Sequence, residues 1–411
     1  MKITLIETDA QGGLLHFSYQ MAEALAATGA ETVLLTGRNH ELAHLPHRAQ
    51  VAPILQFWPQ FEVAEASPIR RRMRAGLRPL RRIWRGIVTV REWSRLTLWL
   101  LRNPPDVAIF STIRFPFQVV FLSILSAAGI PMVQVCHEFE RREANRTAFV
   151  GLSTRMYGAV YRQFSAILFV SETTRQDFLT AFGPVAPTYA IPHGPQLLFA
   201  PNPDAEQRLR AANGLEPGER VVLFVGGLRP SKGVPDLIDA FALLPDRADL
   251  RLLIAGYPSR EFDTGAIERQ VQDLGIAGQV RFRFEYVPGD EIGALVQLAD
   301  VVVFPYRSAT ASGAVALAQT LRRPIVATAV GGLPEAIDDG VTGTLVPPGD
   351  IAALATAIGQ MLADPEAARR MADSGYEMVT RTRSWEDIAH RIRLILTELE
   401  IGVRGSAAAR G

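Results

Sequence analysis

The chain has 411 residues, 48% of them hydrophobic, and its 43 basic and 42 acidic side chains leave a formal net charge of +1. That length exceeds one ordinary core and predicts two domains, while the even charge argues against nucleic acid as a general partner, because phosphate backbones need a basic surplus. The one cysteine, Cys136, excludes an intramolecular disulfide and a cysteine metal cluster, and it suits a reducing, cytoplasmic compartment.

The first residues, MKITLIETDAQGG, are too short in their apolar part for a secretory signal and read as a strand. Strands rich in β-branched residues follow in order: Lys2 to Glu7, Glu31 to Leu35, Val107 to Phe110, Met132 to Cys136, Ala166 to Val170 and Thr188 to Ile191. Helical stretches such as His16 to Ala27 separate them, which is the pattern of a doubly wound parallel sheet. Phe117 to Cys136 is long and uncharged like a membrane span, but Gly129-Ile130-Pro131 interrupts it, and the expected reading is helix, turn, strand. After Ala200-Pro201-Asn202-Pro203 the pattern restarts, with strands at Val221 to Val225, Leu250 to Ala255, Val280 to Phe284, Val301 to Phe304, Ile325 to Ala327 and Gly343 to Val346. The expected fold class is α/β, two Rossmann-like doubly wound domains facing each other across a cleft. The first spans 1–200 and the second 201–384, and a final helix, 385–403, is expected to pack back on their junction. Ligands in such sheets bind beyond the carboxyl ends of the strands, so the two domains would bracket one cleft.

Between the second strand and Val107 an insertion, 70–102, breaks the rhythm. It carries eleven arginines (70, 71, 72, 74, 78, 81, 82, 85, 91, 95 and 102) against the single Glu92, with Trp84, Trp93 and Trp99 interleaved. Leu80, Ile83, Ile87 and Val90 follow helical spacing, so arginines flank an apolar stripe. Such a helix suits an anionic bilayer surface, with cations over headgroups and aromatics at the interface. The alternatives are a core-facing helix with a solvated basic side, and a nucleic-acid patch.

The segment VVLFVGGLRPSKG reads as a buried strand, a glycine turn and a cationic approach to a helix beginning near Val234. At Gly226 and Gly227 backbone can come close to a ligand, and Arg229 and Lys232 bring charge to the opening of the helix. That geometry suits a diphosphate. The plain alternative is a strand-to-helix turn with two solvated cations.

This segment, together with LADVVVFPYRSATASGAVALAQ and RRPIVATAVGGLPEAIDDGVTGTLVPPGD, resembles the donor domain of retaining glycosyltransferases of the GT-B fold, the large family 4-like group of bacterial mannosyl- and glucosyltransferases and sucrose synthase-like enzymes. The N-terminal half resembles the acceptor domain more loosely, through Gly12-Gly13, His137-Glu138, Ser171-Glu172 and Ile191-Pro192-His193-Gly194. The resemblance implies that Arg229 and Lys232 neutralise the leaving diphosphate and that Ser312 and Gly313, at a second helix N-terminus, hold it from the other side. It implies that Gly12 and Gly13 let the first loop reach the donor, that Gly227, Tyr286 and Thr310 belong to the donor site, and that His137 orients the transferred sugar. No metal or other cofactor is implied. Three positions depart from the family pattern: Gly227 stands where an arginine is usual, and Thr310 and Ala318 stand where two glutamates are usual. Gln319 neighbours the second of these, but adjacent helical residues point about 100° apart and do not substitute for each other.

The resemblance implies an enzyme that moves a hexose from a UDP- or GDP-sugar, with retention, to a lipid-linked or glycan acceptor of cell-surface polysaccharide synthesis. It would work as a cytoplasmic protein peripheral to the membrane. The rival expectation is a catalytically silent sugar-nucleotide-binding or scaffolding subunit, prompted by the missing glutamates. A nucleotide-sugar epimerase and a Cys136-His137 nucleophile pair are weaker alternatives, the latter because adjacent strand residues face opposite ways.

Overall fold

Strand and helix alternate through both halves of the chain. A computed structural model describes residues 1–57, 78–139, 150–199, 201–245 and 248–408. The first half runs β1 (Lys2–Ile6), α1 (Gly13–Ala27), β2 (Glu31–Gly37), β3 (Gln50–Leu55), α2 (Arg78–Arg102), β4 (Val107–Phe110), α3 (Val119–Ala127), β5 (Met132–Cys136), α4 (Val150–Tyr161), β6 (Ala166–Phe169), α5 (Glu172–Phe182) and β7 (Thr188–Ala190). The second runs α6 (Pro203–Ala212), β8 (Arg220–Val225), α7 (Val234–Ala242), β9 (Leu250–Ala255), α8 (Thr264–Asp273), β10 (Val280–Arg283), α9 (Gly289–Gln297), β11 (Val301–Phe304), α10 (Gly313–Thr320), β12 (Ile325–Thr328), α11 (Leu333–Ala336) and β13 (Thr344–Val346), then α12 (Ile351–Ala363), α13 (Pro365–Glu377) and α14 (Trp385–Ala408).

The strands form two parallel sheets, seven-stranded in the order β3-β2-β1-β4-β5-β6-β7 and six-stranded in the order β10-β9-β8-β11-β12-β13. Alternation along the strands fills both faces of the first sheet. Ile3, Leu5 and Leu34 pack with Phe17 and Met21 of α1 and with Ile388, Ile392 and Leu396 of α14. Ile6, Leu35 and Phe110 pack on the opposite face with Trp93 and Leu96 of α2 and Leu122 of α3. The last helix therefore belongs to the first domain's core, although the second domain precedes it in the chain. Its first residue fixes the return: the Trp385 indole donates to the Pro195 carbonyl at 2.7 Å, and a Cβ on Gly194 would stand 2.6 Å from the Trp385 ring.

The expected strands are all present, with ends shifted by a residue or two, and Gly129 at φ 75° makes the turn between α3 and β5. Strand β3 went unpredicted. Pro53 argues against a central strand, but β3 is the sheet edge, where a missing donor costs nothing.

The arginine-rich insertion divides into two. Arg70, Arg71, Arg72 and Arg74 lie outside the described residues. In the C-terminal half of α2, Glu92, Trp93, Leu96, Thr97 and Leu100 are buried, and Trp93 stacks on Phe110 at 6.0 Å. This corrects the expectation of three interleaved interfacial tryptophans: Trp93 is core, Trp99 packs at its edge, and Trp84 is exposed. Removing a buried ring of this size costs about 3–5 kcal/mol. Glu92 turns inward as well, accepting the Gln56 N–H at 3.0 Å and the Arg91 guanidinium at 2.8 Å, which leaves the outer face without an acidic group among its described residues.

Candidate active site between two switch points

Strand order reverses between β1 and β4 in the first sheet and between β8 and β11 in the second, so each domain has a crevice where ligands collect. On the second domain β8 is followed by Gly226, whose φ of 144° only glycine adopts readily, and a Cβ on Gly256 would overlap the Gly226 carbonyl. Gly227 is open, with no atom within 4 Å of where its Cβ would stand. Arg229 precedes a single 3-10 turn, Pro230–Lys232, and Gly233 at φ 65° caps α7. A Cβ on Gly233 would overlap the Pro305 carbonyl, and the Arg307 N–H donates to the Ser231 carbonyl at 2.8 Å, so this turn is clamped to the loop after β11.

That clamp builds a cationic layer. Lys232 Nζ lies 3.7 Å from the centroid of the Tyr306 ring, a cation–π contact. The Tyr306 phenol, pushed up to about 12 by burial, stays neutral and lies 3.2 Å from Ser312 Oγ. Ser312 caps α10, accepting the Val315 N–H at 3.4 Å. Lys232 and Ser312 thus flank one buried ring at the N-terminus of α10. Asp236, in the first turn of α7, pairs with Arg307 at 2.6 Å, so the α7 terminus is already matched by a carboxylate of its own domain.

The structure directs Arg229 across the gap, 3.7 Å from Glu138 of the first domain. The preceding residue, His137, lies edge-on to Phe17 at 4.7 Å, and His193 lies edge-on to the same ring at 5.1 Å. His137 Nε2 is shut from solvent and has no hydrogen-bond partner among the described residues. Burial, with His193 adding to it, lowers the His137 pKa to about 3, so the ring is neutral. His193 reaches the second domain: a Cβ on Gly313 would stand 3.2 Å from its Nε2.

The first domain's crevice is acidic. Glu7 is fully buried, accepting the Asp9 N–H at 2.7 Å and the Ser18 hydroxyl at 3.1 Å, and burial beside Asp9 raises its pKa to about 7. Asp9 pairs with Arg114, in the loop after β4, at 2.5 Å. Gly12, at φ 88°, donates its N–H to Glu41 at 2.7 Å, and Tyr286 of the second domain donates its phenol to the other oxygen of the same carboxylate at 2.7 Å. Gly13 opens α1 with empty space where a Cβ would stand.

The glutamate-less positions are filled compactly. The Thr310 carbonyl accepts from the Gly332 N–H at 2.8 Å and from the Ser171 hydroxyl at 3.3 Å across the domain boundary. Ala318 is core, and the buried Gln319 donates to the Ala336 carbonyl at 2.8 Å, so it does not stand in for a carboxylate beside it. Nearby, Glu335 accepts the Glu172 and Thr173 N–H groups at 2.7 and 2.6 Å, a carboxylate at the N-terminus of α5. A cavity of about 230 Å³ lies at this boundary, bounded by Ser171, His193, Ser312, Glu335 and Arg383.

The predicted residues therefore gather in one cleft: Arg229 faces the His137-Glu138 loop, Lys232 and Ser312 share Tyr306, Gly313 meets His193, and Gly12 and Tyr286 share Glu41. Sequence reasoning missed Glu41, Tyr306 and the Glu7-Asp9-Arg114 group. Glu7 had a signal, a charged residue directly after a short buried strand. Glu41, in a loop, had none.

Residues 11–197 match the model described as Glycosyltransferase Family 4, and residues 205–378 match that of Glycosyl transferases group 1. The chain is 37% identical over 242 residues to a GDP-mannose-dependent alpha-(1-6)-phosphatidylinositol monomannoside mannosyltransferase of Mycolicibacterium smegmatis, covering 56% of this chain and 62% of that protein. It is 37% identical over 201 residues to a D-inositol 3-phosphate glycosyltransferase of Corynebacterium glutamicum, 47% of either chain. The matches thus span about half to three-fifths of these relatives' length. Two solved structures share the fold at a TM-score of 0.72: sucrose-phosphate synthase from Thermosynechococcus elongatus, with 23% identity over 97% of this chain and 99% of that one, and HepE from Anabaena in complex with UDP and glucose, with 19% identity over 97% and 100%. With a family 4 model over its first domain, a group 1 model over its second and both crevices opening on one cleft, the chain belongs to the glycosyltransferases of the GT-B fold.

Proposed function

We propose that this protein transfers a hexose from a GDP- or UDP-sugar, with retention and without a metal, to a lipid-linked or glycan acceptor of cell-surface glycolipid or polysaccharide synthesis. The observation that carries the reading is the pairing across the cleft of a cationic layer, Arg229 and Lys232 beside the Ser312 cap, with the orphaned Nε2 of a neutral His137. A buried polar atom without a partner calls for an explanation, and a hydroxyl of the transferred sugar supplies one. As the bond from the anomeric carbon to the leaving phosphate breaks, negative charge grows on the diphosphate, and Lys232, Arg229 and the amides opening α10 would stabilise it. The acceptor oxygen then bonds the same carbon from the same face, its proton passing to the leaving phosphate oxygen. The mannosyltransferase and inositol-phosphate transferase relatives support a nucleotide-sugar donor and a phosphorylated or lipid acceptor.

Residues Leu80, Ile83, Trp84, Ile87 and Val90 of α2 are exposed beside Arg81, Arg82 and Arg85, and Val120 and Ile124 of the adjoining α3 extend the apolar surface. No helix among the described residues is long and apolar enough to cross a membrane. The reading is a peripheral one, on an anionic bilayer at the cytoplasmic face.

Release of nucleoside diphosphate from GDP-mannose and UDP-glucose, with and without glycolipid acceptors, tests the enzyme. Turnover of one donor, with the product's anomeric configuration retained by NMR, is expected; neither transfer nor slow hydrolysis of either donor would favour the silent subunit. Flotation with phosphatidylglycerol vesicles at low salt tests the surface, and serine at Arg81, Arg82 and Arg85 should return the protein to the soluble fraction. Failure of the unaltered protein to float removes the membrane part.

A further inference from the structure

We propose that Glu41 is a positioning residue that couples closure of the cleft to the setting of the glycine loop, with Tyr286 supplying the second domain's side of the contact; this rests on the transferase reading above. Glu41 lies in the loop after β2, and its carboxylate is almost enclosed, 13% exposed. Oε1 accepts from the Gly12 N–H at 2.7 Å and from His16 Nε2 at 2.6 Å, while Oε2 accepts from the Tyr286 phenol at 2.7 Å. The first residue of α9 closes the pocket, for a Cβ on Gly289 would stand 4.0 Å from Glu41 Oε2 and 3.7 Å from His16 Nε2.

The origins of these donors matter. Gly12 and His16 belong to the loop and first turn of α1, which face the cleft, whereas Tyr286 follows β10 in the other domain. Burial alone would raise the carboxyl's pKa, but the bonds from His16, Gly12 and Tyr286 outweigh it and hold the group ionised. Bonds to an ionised acceptor are the strong ones, roughly twice a neutral pair. Opening the cleft removes one of three donors and leaves the carboxylate to water, so the position of Gly12 depends on whether the second domain has arrived. Tyr286 thereby acts on the first domain's loop, through Glu41 and through its own contact with the Gly12 backbone, rather than by touching donor itself.

The test uses the full chain carrying Tyr286→Phe, Glu41→Gln or both, each checked for a melting temperature close to that of the parent. Amide exchange over residues 9–17 should rise on the order of tenfold in Tyr286→Phe, although the altered phenol lies in the other domain. Turnover should fall by a similar factor while affinity for UDP or GDP holds, and the double variant should lose less than the product of the two single losses. Exchange at 9–17 unchanged in Tyr286→Phe, or losses that multiply in the double variant, would overturn the proposal. If the parent turns over neither GDP-mannose nor UDP-glucose, the transferase reading falls by itself, and the exchange comparison still decides the role of Glu41.

Discussion

The two switch points share a topology and carry opposite chemistry. In the first domain the crevice between β1 and β4 holds Glu7, Asp9 and, close by, Glu41, all shielded from solvent and all engaged by donors of the protein. In the second, the crevice between β8 and β11 carries Arg229, which meets Glu138 across the cleft, and Lys232 over the Tyr306 ring, and has no carboxylate at Thr310 or Ala318. A parallel sheet with helices on both faces fixes where a site lies but leaves its charge to the loops. On the reading proposed above the loops divide the work: one crevice spends its polar groups on its own structure and on domain closure, and the other offers its cations to the leaving diphosphate.

The sharpest break in this contrast is Lys232→Ala, which should lower turnover about 100- to 1000-fold, as for loss of a single oxyanion donor, with circular dichroism and melting unchanged; near-normal kinetics would put the anion elsewhere. Arg229→Ala should cost less, on the order of tenfold, because its guanidinium is half-exposed and already shares Glu138 at 3.7 Å. The converse variant, Glu138→Gln, should tighten nucleoside diphosphate binding by up to about fivefold in calorimetry, since it removes a competitor for the same cation.

Two titrations sharpen the contrast further. Glu7 has its pKa raised by burial from 4.5 to about 7, so between these values the folded protein holds a proton that the unfolded chain has lost. Stability therefore falls as pH rises across that window, and Glu7→Gln should flatten the decline in urea melts. His137 has its pKa lowered from 6.5 to about 3, the opposite case, so the unfolded chain binds the extra proton and stability falls as pH drops through that range. His137→Asn should remove this acid sensitivity, and an unchanged profile would mean the ring is already protonated in the fold.

Much of the cleft was legible because its residues sit where local rules apply. The apolar runs of β1 and β8, the glycines after them and the cations at 229 and 232 are strand, turn and helix-start signals, and each marks a strand's carboxyl end. Strand β3 escaped because Pro53 is admissible only at an edge, and whether a strand is an edge depends on its neighbours. Trp93 and Trp84 were indistinguishable along the chain, nine residues apart on one helix, yet one stacks on Phe110 and the other is exposed. Periodicity shows that a helix has an apolar stripe; it does not show where along the helix the sheet stops covering it.

The sequence alone determined the two parallel sheets, their order of appearance and the cationic glycine turn, because hydrophobic period, turn chemistry and fixed charge are local properties of the chain. Only tertiary structure decided that Arg229 faces Glu138, that Lys232 lies on Tyr306, and that Gly12 and Tyr286 meet on Glu41. Those contacts join residues 29 to 245 positions apart, and no pattern within a window encodes which loop ends will face each other once two separately formed cores have docked.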